Sequence, residues 1–64
     1  MTNQPVSPEA DLAKAKELYA KARKKEKQGD YEAAKEYYRH SLTLYEDEIV
    51  KAAYLNLLAT IGPM

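Results

Sequence analysis

Gln28-Gly29-Asp30-Tyr31-Glu32-Ala33-Ala34 is the stretch that decides how this chain folds. Gly29 can adopt the left-handed conformation that ends a helix, with no steric cost. Asp30 follows at once, and its carboxylate can accept from the unpaired N–H groups that open a new helix. Tyr31, Ala34 and Tyr38 then recur at spacings of three and four, which sets them on one helical face. A stop, a start and a packing face so close together predict the corner of an antiparallel helical hairpin.

Toward the N-terminus, Leu12, Ala15, Tyr19 and Ala22 recur at 3-4-3 spacing with Leu18 beside them. This amphipathic stripe predicts a first helix over about residues 8–28. Ser7-Pro8-Glu9 suits its start, with serine as N-cap, proline at the first helical position and an acid facing the positive end. Residues 1–6 carry no helical period and are expected to be a disordered tail, leaving 7–64 as one helical domain. After Ala22 the stripe stops, and Lys24, Lys25, Glu26 and Lys27 are polar on every side. Together with Lys21 and Arg23 these cations would suit an acid- or phosphate-binding patch. The plainer reading is a solvated helix end, where cations are favoured anyway.

Toward the C-terminus, Ala34, Tyr38, Ser41 and Tyr45 form one stripe of a second helix over about residues 31–45. Ala33, Tyr37 and Leu44 form another beside it. The small residues Ala15, Ala22, Ala34 and Ser41 would let the two backbones approach closely, with tyrosine rings filling the flanks. Nothing forbids helix from Asp30 to Gly62, so any break must come at Glu46-Asp47-Glu48. Asp47 as a cap, with Glu48 in the first turn, predicts a third helix over about 47–61. The alternative is one unbroken helix about twice the usual length.

That third segment is apolar at Ile49, Val50, Ala52, Ala53, Tyr54, Leu55, Leu57, Leu58, Ala59 and Ile61. Only Lys51, Asn56 and Thr60 interrupt it. A helix apolar around most of its circumference needs cover on more than one side. The hairpin can cover one side, so a partner protein, a second copy of the chain or a missing neighbouring element is expected on another.

With 64 residues the chain makes a single domain, and with no cysteine it has neither disulfides nor thiolate metal sites. A start without a signal pattern points to the cytoplasm. The apolar run of residues 49–61 is too short and too interrupted to span a membrane. Ten basic and ten acidic side chains cancel, seven against four before Asp30 and three against six from it onward. A basic helix beside an acidic one supports itself more than it marks a nucleic-acid surface.

Catalytic groupings are missing from the pattern. His40 is the sole histidine, and Ser41 beside it points about 100° away around a helix, a poor nucleophile–base geometry. Glu46-Asp47-Glu48 lacks the spaced oxygens and glycine of a calcium loop. Gly29 stands alone, so no phosphate-cradling loop forms. The expectation is a protein that is not an enzyme and uses no metal or cofactor.

Ala22, Gly29, Tyr31, Ala34, Tyr38 and Ser41, at these spacings, resemble a tetratricopeptide repeat, a helix–turn–helix unit of 34 residues. Tyr54-Leu55-Asn56-Leu57-Leu58-Ala59 is similar to the opening helix of a following repeat. Lys21, Lys25 and Glu46 depart from it, standing where the repeat has leucine, an aromatic and proline. The same stretch also resembles the microtubule-interacting-and-trafficking (MIT) domain, a three-helix module, on Ala15, Leu18, Ala22, Glu26, Gly29, Tyr31, Ala34, Tyr38, Ser41 and Leu42. Both resemblances imply an all-α hairpin with a third helix that binds a partner helix or peptide in an apolar groove. Tyr38, Tyr45, Tyr54, Leu55 and Leu58 are the expected apolar contacts, with Lys21, Lys25 and Arg39 reading acids at the rim. The alternative is a homodimeric bundle joined through helices 2 and 3. A small regulator of nucleic acid is disfavoured by the zero net charge.

Overall fold

The computed structural model describes residues 8–62, and among them finds three helices and no strand. They are α1 (Pro8–Lys27), α2 (Tyr31–Leu44) and α3 (Glu48–Ile61). The expected cap at Ser7 and the expected tail at 1–6 lie outside the described residues.

The corner forms as its sequence predicts. Gly29 sits at φ 83°, its N–H donates to the Glu26 carbonyl at 3.0 Å, and the Asp30 N–H reaches the Lys25 carbonyl at 2.9 Å. These two bonds satisfy carbonyls that the end of α1 would leave unpaired. Asp30 then opens α2. Its Oδ1 accepts from the Ala33 N–H at 3.3 Å, and its carbonyl accepts from the Ala34 N–H at 3.0 Å. One residue thus closes one helix and caps the next.

The break after α2 also falls among the acids. Tyr45 is extended at φ −155° and ψ 121°, one residue short of the expected helix end. Asp47 is extended too, and its Oδ1 accepts from the Ile49 N–H at 2.8 Å. Its carbonyl takes the Lys51 N–H at 2.8 Å, so α3 starts with its first donors satisfied.

α2 is the shared element: α1 lies along it on one side and α3 on another, while α1 and α3 meet much less. Ala22 and Ala34 are fully buried, and such small residues allow a close helix crossing. Ser41, equally buried, donates its Oγ–H to the Ala15 carbonyl at 2.8 Å, so a hydroxyl buried within the hairpin leaves no unpaired donor. Val50 and Leu57 bring the inner face of α3 into the same core.

Tyr38 is the hub. Its ring centroid is 6.0 Å from that of Tyr19 on α1 and 6.4 Å from that of Tyr54 on α3, both tilted. Tilted pairs at this range add to the burial itself. Its hydroxyl donates to Glu26 Oε1 at 2.7 Å. The stripe on α1 therefore continues past Ala22, with a half-buried acid as its last member. Sequence reasoning ended it too early, because a polar residue on an apolar face looks like the end of the face.

Candidate functional site

Between the first turns of α1 and the start of α3 lies a groove with a cavity of about 340 Å³. Leu12, Ala15, Lys16 and Tyr19 line it from α1, and Asp47, Ile49 and Val50 from α3. The groove exists because α1 and α3 each pack against α2 more than against one another. Its volume is at the small end of the range for ligand sites, room for one or two side chains. Ile49 remains 67% exposed on its wall. Lys16 is exposed at its edge and has no acidic partner among the described residues.

Of the residues expected to touch a partner, Tyr38 is corrected outright. It is fully buried and offers no atom to a ligand. Burial, and then its bond to Glu26, push the phenol up to about 12. It stays protonated and donating at every physiological pH. Tyr54 and Leu58 are half-buried, Tyr54 with its ring against Tyr38. Tyr45 and Leu55 are exposed, at 40% and 57%.

The expected cationic rim does not assemble at the groove. Lys25 follows Lys16 by nine residues, about 180° around α1, and Lys21 by five, about 140°. Lys25 is half-buried and Lys21 exposed, both on the flank of α1 turned from Lys16. Arg39 lies on the outward side of α2 with Glu36, Tyr37, His40 and Thr43, and its Nη1 is 3.4 Å from Glu36 Oε2. The groove-lining residues were visible only as parts of helix stripes. Leu12, Ala15 and Tyr19 read as core of the hairpin, and Ile49 as one apolar residue among many.

No protein-family model, curated protein or solved structure matches this chain. Among the described residues, no cluster of His, Cys, Asp or Glu is placed to hold a metal ion. No helix there is long and apolar enough to cross a membrane.

Proposed function

We propose that the chain is a protein-interaction module, tetratricopeptide-like in its hairpin, whose docking site is the groove between α1 and α3. The observation that carries this is the groove's make-up: an apolar floor of Leu12, Ala15, Tyr19, Ile49 and Val50, with the Lys16 ammonium on the α1 wall and, on the α3 wall, the Asp47 carboxylate already engaged by the Ile49 N–H. Covering the open part of Ile49 and its neighbours would contribute on the order of 1–2 kcal/mol per large side chain. Lys16 would select an acid next to the apolar anchor and fix its direction. The occupant is thus a helix or peptide with one or two large apolar side chains and a flanking Asp or Glu. The MIT-like resemblance, favoured by the acid at Glu26, implies the same class of ligand.

Selection of displayed helical peptides against the intact chain tests this. Enriched sequences should share an apolar anchor with a neighbouring acid. They should lose binding to Ile49→Glu and weaken several-fold on Lys16→Glu. Peptides that bind Ile49→Glu as well as the parent chain would show that the groove is not the site.

A further inference from the structure

The outer face of α3 is a second surface, separate from the groove. Leu55 follows Ile49 by six residues, so the two lie about 120° apart around the helix. It stands 57% exposed between Ala52 and Ala59, both exposed, while Val50 and Leu57 hold the buried side. Ala52 and Ala59 are seven residues apart, so they share one line along the helix with Leu55 between them.

We propose that this face takes a second copy of the chain, with the two α3 helices antiparallel about a twofold axis near Leu55. The pattern itself selects that occupant. Leu55 is at the middle of the 14-residue helix Glu48–Ile61, and an alanine lies three residues before it and four after. Read from either end the face runs small, large, small. Two copies facing opposite ways therefore set each Leu55 into the space between Ala52 and Ala59 of the other, as an isologous contact requires. Charge agrees. The α3 helix carries only Glu48 in its first turn and Lys51, whose Nζ is already 3.7 Å from Glu46 Oε2. The whole chain has zero formal net charge, so copies do not repel.

The size of the face sets the strength. Fourteen residues make a seam only about 21 Å long, and one such seam covers less than the roughly 800 Å² per partner of a standard interface. The dimer is therefore weak and dissociates on dilution.

Sedimentation equilibrium on the intact chain, from about 1 mM down to about 10 μM, tests the proposal at the dissociation constants expected of so small a contact. The average mass should fall from near two chains to one. Leu55→Glu should stay at one chain throughout while circular dichroism still reports the parent's helix content. Ala59→Glu reads the same face should Leu55→Glu fail to fold. Ile49→Glu, on the groove, should dimerise like the parent, which separates this contact from peptide docking. A parent chain that is monomeric throughout overturns the proposal, as do a dimer that survives both face variants and one lost on Ile49→Glu.

Discussion

Tyr38 and Glu26 are joined across the hairpin, the hydroxyl donating to the carboxylate at 2.7 Å. Arg23 stands beside the pair, its Nη1 3.6 Å from the same oxygen. The bond fixes the end of α1 against the middle of α2, one turn before the corner at Gly29. Removing the hydroxyl in Tyr38→Phe would leave a half-buried carboxylate short of a donor, at a cost of about 1–3 kcal/mol. Urea unfolding midpoints of the two proteins should differ accordingly, with unchanged m-values.

The same tyrosine gives the fold an alkaline limit. Its folded value of about 12 lies above the ordinary value of 10. The native state therefore holds its proton more tightly than the unfolded chain does. The resulting stability is fully present below pH 10 and is lost as pH rises through 12. Melting temperature should fall over that window in the parent chain and fall less in Tyr38→Phe. Parallel pH profiles would mean that the phenol is not held in this way.

At the corner, Gly29→Ala should destabilise by about 1 kcal/mol. An added Cβ would meet no atom within 4 Å, so the whole effect comes from the positive φ. A thermal melt that superimposes on the parent's would contradict the left-handed corner.

Ala34 and Ala33 make a paired test of which face of α2 meets α1. Ala34 is fully buried and Ala33 only half-buried. Ala34→Leu should overpack the crossing and cost roughly 1–3 kcal/mol, whereas Ala33→Leu should cost less. Equal losses in denaturant midpoint would place the wrong residue at the contact.

Asp47→Ala should cost about 1 kcal/mol, the usual worth of an N-cap. Helix content by circular dichroism should not rise, since Tyr45 already leaves the helix before the cap is reached. A clear gain in helicity would mean that Asp47 alone prevents one continuous helix.

What could be read from sequence was the local part of the fold. Gly29, Asp30 and Asp47 act on backbone groups within five residues of themselves, so composition at those points was enough to place the corner and the break. The stripes Ala15–Ala22 and Ala34–Ser41 likewise declare their buried face by spacing alone. The groove was not legible, because it depends on how far α3 swings from α1 after the extended link at Tyr45. Nothing in the spacing of Leu12, Tyr19 or Ile49 states that distance. Tyr38 was misplaced for a related reason: a tyrosine suits both a core and a wet rim, and only the position of Glu26 opposite it decides.

Amide chemical-shift mapping of the intact chain, titrated with a selected peptide, tests the docking account most directly. The largest shifts should fall at Leu12, Lys16, Tyr19, Ile49 and Val50, with the amides around Leu55 and Arg39 little changed. Shifts centred on Leu55 or on the outward side of α2, with the groove silent, would contradict it.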